Sequence, residues 1–179
     1  MSGYEKHAII IPEGAKRIVI LSNCKGKLPK GAVREGDLCI HLNRAAFKDE
    51  AMAVPGTWHE LIVRHGRDSN NNVIWFTPDK GVSGFSCVHF TPTINGWSGS
   101  MWWRLYRDKT GGKSPTTGFL AYRAASLVNS KGLPVLLVGF NPSVDMGTYR
   151  SPKHGWDYEA ATYAREKANI INLITDTSE

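Results

Sequence analysis

The stretch from residue 114 to residue 140, SPTTGFLAYRAASLVNSKGLPVLLVGF, constrains the fold more than any other part of the sequence. It predicts a loop, a helix, a turn and a strand, in that order. The opening SPTT favours a helix start, because hydroxyl oxygens accept hydrogen bonds from free N–H groups there and proline fits the first turn. Apolar residues then recur at helical spacing as far as Asn129. The run PVLLV at 134–138 is typical of a strand that is buried on both faces.

A hydroxyl-rich helix start beside a parallel strand favours the binding of anions. Free N–H groups and the helix dipole both attract negative charge at that end. Gly118 places no side chain over the helix start, so we expect a ligand to approach the backbone closely there. Gly139 lets the chain turn at the carboxyl end of the strand, where open α/β sheets bind ligands.

Other short apolar runs predict the rest of a sheet. They lie at 7–11, 17–21, 37–42, 60–64, 73–76, 86–90 and 170–174. A second helix is predicted at 158–167, where YEAATYAREK ends in basic residues. The alternation of strands, loops and helices predicts an α/β fold. We expect a single Rossmann-like domain over residues 1–179, with a mostly parallel twisted sheet and flanking helices.

Composition narrows the functional classes. No apolar run approaches the roughly 20 residues that cross a membrane, and the N-terminus lacks the pattern of a signal peptide. The three cysteines show no CxxC pattern, so we expect a reducing, cytoplasmic setting and no metal site. The net charge of +6 and the pI of about 9.3 permit a phosphate-bearing partner. An ordinary basic surface explains the same charge equally well.

Two further segments are candidates for binding. Between residues 95 and 109, four aromatic residues alternate with cations. Such a mixture can stack on bases or sugars and hold phosphates, which makes these residues candidate acceptor or nucleic-acid contacts: Trp102, Trp103, Arg104 and Arg107. The alternative is a core helix with a basic outer face, since Trp102, Leu105 and Tyr106 share one helical stripe. The second segment, 141–157, is long and irregular, and loops of that length are often functional.

Three segments together resemble the motifs of sialyltransferases. Residues 17–45 resemble the large sialylmotif, a strand and an Asn-containing loop followed by an ending that runs here from Asp37 to Asn43. Residues 114–140 resemble the small sialylmotif, with its Pro-Thr-Thr-Gly start and Gly-Phe close. His154 and Glu159 have the H-x4-E spacing of the very small motif. The order of the three motifs also agrees, and they cover somewhat under half of the chain.

The resemblance implies a glycosyltransferase of Rossmann-like fold that uses a nucleotide-sugar donor, CMP-linked or UDP-linked, and no metal. It assigns His154 as the catalytic base and Glu159 as its supporting carboxylate. The residues that it implies in donor binding are Asn23, Asn43, Thr116, Thr117 and Gly118. The chain also departs from the family pattern, because the first loop glycine is Ser22 and the motif's arginine is His41.

The residues themselves are compatible with this chemistry. Histidine titrates near neutral pH and suits proton removal from an acceptor hydroxyl. No D-x-D pair occurs in the sequence, which disfavours a metal-dependent transferase. We therefore expect a cytoplasmic, bacterial or phage-type glycosyltransferase, whose acceptor is modified DNA, a glycan or a small metabolite. Two alternatives stay open: a non-catalytic protein that sequesters or senses a nucleotide, and a nucleic-acid-binding domain.

Overall fold

The structure, a computed structural model, describes residues 9–78, 82–90, 101–140 and 152–175. Eight strands lie in these ranges: β1 (Arg17–Leu21), β2 (Asp37–Leu42), β3 (Trp58–Val63), β4 (His65–Arg67), β5 (Val73–Trp75), β6 (Cys87–Phe90), β7 (Val135–Val138) and β8 (Asn169–Ile171). The helices of the same ranges are α1 (Lys48–Met52), α2 (Met101–Thr110), α3 (Thr117–Val128) and α4 (Trp156–Arg165).

Six of the strands form one parallel sheet in the order β6-β3-β2-β1-β7-β8. The first four sheet strands of the chain extend from β1 to one side, and β7 and β8 extend to the other. The strand order therefore reverses between β1 and β7, as in doubly wound folds. This arrangement confirms the predicted α/β, Rossmann-like class. Strands β4 and β5 form a separate antiparallel hairpin.

Both faces of the sheet are covered, which explains why its central strands are nearly continuous apolar runs. One face packs against α2, α3 and α4, and its core includes Ile18, Ile20, Leu137 and Phe119. The other face packs against α1 and the loop before β2, around Val19, Phe47 and other apolar residues. Helices α3 and α4 each precede a strand of the parallel sheet. Their N-termini consequently lie at the edge where the strands end.

Most predicted elements occur near their expected positions. The helix of the 114–140 stretch begins after Thr116 and ends before Asn129. The side-chain oxygen of Asn129 accepts from Leu133 N at 2.8 Å, which stabilises the predicted turn. The predicted turn after β7 is confirmed, since Gly139 has a φ of +80°.

Other predictions were wrong in detail. Residues 9–11 of the strand predicted at 7–11 are not in a strand, and residues 7 and 8 lie outside the described ranges. Helix α1 and strand β4 were not predicted. The last strand ends at Ile171 rather than at residue 174. Leu105, predicted on a buried stripe, is 47% exposed.

The first part of the aromatic segment, residues 95–100, and residues 141–151 of the irregular segment lie outside the described ranges. Within the part that is described, no helix has the length and apolar character needed to traverse a bilayer.

Candidate functional site

The start of α3 lies at the carboxyl edge of the sheet and is fixed by its own capping residue. Thr116 precedes the first helical residue, and its hydroxyl oxygen accepts from Phe119 N at 3.0 Å. This is the side-chain cap that SPTT predicts. In the described ranges, the backbone N–H groups of Thr117 and Gly118 donate to no protein acceptor. The helix start therefore keeps two donors that an anion can use.

Asn43 joins the ends of two strands to this helix start. It follows β2 with a left-handed φ of +50°, a conformation that asparagine tolerates better than most residues. Its side-chain oxygen accepts from Arg64 N at 2.9 Å, and its amide lies 3.5 Å from Thr117 Oγ1. Residues from the segments 17–45 and 114–140 thus meet at one place.

Arg64 adds a positive charge at the same place. It immediately follows β3, and its guanidinium donates to Pro115 O at 2.5 Å. Burial lowers the pKa of Arg64, while Glu159 and the Tyr106 hydroxyl oppose that shift. An arginine stays protonated in proteins at neutral pH. The positive charge of Arg64 therefore adds to that of the α3 N-terminus.

Glu159 connects α4 to the helix start and to α2. It is 3% exposed. Its Oε1 accepts from Thr116 N and from the Tyr106 hydroxyl, both at 2.8 Å, and its Oε2 accepts from Thr116 Oγ1 at 2.7 Å. Burial raises the pKa of Glu159, and the hydrogen bonds from Thr116 and Tyr106 oppose that rise. The carboxylate therefore supports the segment that begins α3, and its described hydrogen bonds go to Thr116 and Tyr106 rather than to His154.

His154 is oriented by a backbone carbonyl. Its Nδ1 lies 2.8 Å from Ser114 O, and because a carbonyl oxygen only accepts, Nδ1 carries the proton. In the neutral ring Nε2 is then the basic nitrogen. Burial lowers the pKa of His154 despite the bond to Ser114, and the positive charges of Arg64 and Lys153 lower it further. The lowered pKa favours the neutral imidazole at pH 7, and a neutral imidazole can accept a proton.

An open cleft of about 430 Å³ lies beside His154. Lys109 and Lys113 give it positive charge, and Asp157 supplies one carboxylate. The ring of Trp156, which also lines the cleft, contacts the His154 ring edge-on, with 5.6 Å between centroids. The cleft combines a basic nitrogen, cations and an aromatic wall.

Asn23, another predicted donor-binding residue, makes its hydrogen bond to the loop after β2. It follows the end of β1, and its side-chain oxygen accepts from Ala46 N at 3.3 Å. This bond holds the loop between β2 and α1. Asn23 therefore shares the carboxyl edge of the sheet with Asn43, but it makes no direct hydrogen bond to the α3 start.

The four predicted acceptor contacts on helix α2 fall into two groups, two packed tryptophans and two exposed arginines. Trp102 packs on the core, and the centroid of its ring lies 6.1 Å from that of the Phe119 ring. Trp103 packs edge-on against Trp102. Arg104 and Arg107 are exposed. This distribution favours the alternative of a core helix with a basic outer face, with Leu105 on the outside instead of the inside.

Gly118 is glycine for a reason that the sequence did not indicate. A Cβ built on this residue would lie 2.2 Å from Cε1 of the Phe140 ring. The glycine therefore makes room for the ring that follows β7. Close approach of a ligand, the predicted reason, is not needed to explain it.

Sequence reasoning missed the roles of Arg64, Tyr106 and the Ser114 carbonyl. A cation directly after a buried strand was a usable signal for Arg64. Tyr106 donates to Glu159 and accepts from Gly155 N at 2.9 Å. Neither partner is near it in sequence, so no local pattern pointed to this role.

Comparisons of the chain with protein-family models, with curated proteins and with solved structures found no match. Membership of the sialyltransferase-like family therefore stays a prediction that rests on the three sequence segments.

Proposed function

We propose that this protein is a glycosyltransferase that moves a sugar from a nucleotide-activated donor to an acceptor hydroxyl. The observation that carries the proposal is the meeting of three distant segments at one edge of the sheet. Asn43 reaches Thr117, Glu159 binds Thr116, and His154 binds Ser114. These contacts join the segments that resemble the large, small and very small sialylmotifs.

The donor phosphate would bind at the positive end of α3. Arg64 and the N–H groups of Thr117 and Gly118 supply charge and donors there, and Asn43 supplies an amide that can read ribose or base. Donors aimed at an oxygen where charge develops are usually the largest contribution to catalysis. These groups therefore suit a departing nucleotide, CMP-linked or UDP-linked.

His154 would act as the general base. Its Nε2 removes the proton from the acceptor hydroxyl while that oxygen attacks the anomeric carbon of the sugar. The bond from the anomeric carbon to the phosphate oxygen breaks, and the nucleotide leaves with the electron pair. The Ser114 carbonyl holds the resulting imidazolium through Nδ1–H. Glu159 is a positioning residue in this scheme, since it fixes Thr116 rather than the imidazole.

The acceptor would be anionic. The exposed side chains of Arg104 and Arg107 and the cleft residues Lys109 and Lys113 form a basic band along α2 and the loop that follows it. Modified DNA and an acidic glycan both carry the matching charge. DNA is favoured if binding of a hydroxyl-bearing duplex weakens steeply with added salt.

The compartment proposed is the cytoplasm. The proposal rests on the sequence, in which three scattered cysteines cannot all pair with one another.

The test is turnover of nucleotide sugars. Wild-type protein is incubated with CMP-linked and UDP-linked sugars plus a panel of oligosaccharides and of duplex DNA with hydroxyl-bearing bases. Released nucleotide and glycosylated product are measured by mass spectrometry. We expect His154→Ala to lower the rate by about 10²–10⁴-fold, the usual contribution of a general base.

His65→Gln is the matched control, because His65 is a half-buried histidine on the β4–β5 hairpin whose ring contacts Trp75. We expect this variant to retain wild-type turnover. Equal turnover in wild type and His154→Ala would show that His154 is not the base. Nucleotide binding without turnover of any donor would favour the non-catalytic alternative.

A further inference from the structure

A second cluster of reactive side chains lies on strands β3 and β6, away from the α3 start. In the parallel register Glu60 lies opposite Cys87, and Ile62 lies opposite His89. Residues two apart on a strand point to the same face. Glu60, Cys87 and His89 therefore project from one face of two neighbouring strands.

The donor atoms of this cluster are close together. One ligand atom from each of the three residues lies within 4.8 Å of the others, and His89 Nε2 is 2.6 Å from Glu60 Oε2. A tetrahedral zinc ion with bonds of about 2.0–2.3 Å holds its ligand atoms roughly 3.3–3.8 Å apart. Small rotations of the side chains would bring all three atoms to that spacing.

The ligand types and their surroundings fit zinc. Thiolate, imidazole and carboxylate are the three side-chain ligands that zinc takes, and the soft thiolate disfavours magnesium and calcium. The side chains of His89 and Glu60 are 1% and 2% exposed. Buried ionisable groups of this kind are usually paired or bound to a metal.

One carboxylate oxygen is already fixed. Ile10 N donates to Glu60 Oε1 at 3.0 Å, which orients the carboxylate and leaves Oε2 toward His89. Backbone donors that hold a metal-ligating carboxylate are a regular feature of metal sites. Cys87 is only half-buried, so an ion can enter from its side.

We propose that Glu60, Cys87 and His89 bind Zn²⁺, with a water molecule as the fourth ligand. On binding, the Cys87 thiol loses its proton to solvent. The proton in the hydrogen bond between His89 Nε2 and Glu60 Oε2 is also released to solvent. Sγ, Nε2 and Oε2 then bond to the metal. The ion fastens the edge strand β6 to β3 and, through the hydrogen bond from Ile10 to Glu60, to residues 9–11. This site is separate from the proposed transferase site, so either can fail without the other.

The first experiment titrates metal-free wild-type protein with Co²⁺, which reports thiolate ligands through a sulfur-to-cobalt charge-transfer band. We expect the band to saturate at one Co²⁺ per chain and to disappear when Zn²⁺ is added. Cys87→Ser abolishes the band, and the control Cys24→Ser keeps it. His89→Gln and Glu60→Gln weaken Co²⁺ binding by more than the roughly 10–100-fold that changes outside the ligand set cause.

The second experiment uses wild-type protein alone, so it does not depend on the folding of a variant. Alkylation of the thiols is followed by mass spectrometry with and without Zn²⁺. Zinc should protect Cys87 and leave the reaction of Cys24 unchanged. At about 100 times its dissociation constant, Zn²⁺ should also raise the melting temperature by roughly 5–11 °C.

The proposal is overturned if folded wild-type protein gives no charge-transfer band, or if the band persists in Cys87→Ser. Equal alkylation of Cys87 with and without Zn²⁺ would also overturn it. The cluster would then be a buried histidine–carboxylate pair that bridges two strands.

Discussion

Individual residues at the candidate site are fixed by contacts with residues that lie far from them in the sequence. Gly118 is set by the Phe140 ring, His154 by the Ser114 carbonyl, and Thr116 by the Glu159 carboxylate. Each of these pairs joins segments at least 22 residues apart, counting from Gly118 to Phe140. Single substitutions at these positions therefore test packing and chemistry separately.

Gly118→Ala should lower the free energy of unfolding by about 1–3 kcal/mol, the usual effect of forcing extra volume into a packed site. Alanine is otherwise the better helix former by about 1 kcal/mol, so the sign of the change decides whether the Phe140 contact dominates. Urea denaturation measures this change in the free energy of unfolding. The double variant with Phe140→Ala should be more stable than the sum of the two single changes implies. A Gly118→Ala protein more stable than wild type would show that the ring moves aside freely.

His41 predicts a loss of stability in acid. Its ring is fully buried, and its Nε2 lies 3.0 Å from His59 Nδ1. Burial, the neighbouring His59 and Lys48 lower the pKa of His41 to about 3, and burial also lowers the pKa of His59. A depressed pKa means that the unfolded chain takes up the proton first. The contribution of His41 to the free energy of unfolding is therefore fully present above pH 6.5, and it is lost as the pH drops toward 3.

The slope below pH 6.5 should approach about 1.4 kcal/mol per pH unit from His41 alone. Urea denaturation at several pH values measures it, with His41→Gln as the comparison because its amide can still donate to His59. The carboxylates titrate alike in both proteins, so the difference between the curves isolates His41. Identical curves between pH 6.5 and 4.5 would contradict the prediction.

At the scale of elements, Glu159 unites three helices through one carboxylate. It belongs to α4, its oxygens accept from the residue that caps α3, and Tyr106 of α2 donates to it. Removing a buried acceptor leaves its donors unsatisfied, which costs more than the hydrogen bonds themselves contribute. The relative placement of α2, α3 and α4 consequently depends on this residue.

Glu159→Ala should lower the free energy of unfolding by about 2–4 kcal/mol, since it removes the acceptor of two buried Thr116 donors and leaves the Tyr106 hydroxyl only its longer bond to Ser114 O at 3.2 Å. Asp157→Ala is the matched control in the first turn of α4. Asp157 is an exposed carboxylate, so its loss removes an interaction with the positive end of the helix. We expect this control to lose about 1 kcal/mol or less. Losses of the same size in the two variants would mean that Glu159 has no special role in joining the helices.

The parts of the fold that the sequence predicted are those with local signals. Strand β1 and helix α3 carry a continuous apolar run and a capping threonine, and their bounds follow from these residues. Strand β4 and helix α1 are three and five residues long, too short for a periodicity to develop. The hairpin of β4 and β5 depends instead on cross-strand contacts such as that of His65 with Trp75.

The candidate site was predictable as a set of segments but not as a set of contacts. The resemblance named His154 and Glu159 as partners, whereas the structure gives them separate partners, Ser114 and Thr116. Spacing along one chain segment cannot show which backbone group a side chain meets across the fold. Arg64 carried a local signal as a cation directly after a buried strand, but its contact with the distant Pro115 carbonyl could not be predicted in the same way.

At the scale of the whole molecule, the doubly wound sheet places one end of every sheet strand, and the N-termini of α3 and α4, at a single edge. The end of β2, the residue after β3 and the starts of both helices supply Asn43, Arg64, Thr117 and His154. Our central claim is that this edge binds a nucleotide. Positive charge from Arg64 and from the helix start favours that ligand.

The most direct test is the melting temperature of the protein against a panel of nucleoside monophosphates and nucleotide sugars. We predict that one nucleotide class, at about 100 times its dissociation constant, raises the melting temperature by roughly 5–11 °C. Asn43→Asp keeps the size and the oxygen that accepts from Arg64 N, but it removes the amide donor and adds a negative charge. This variant should lose the shift. A wild-type protein that no nucleotide stabilises would contradict the claim.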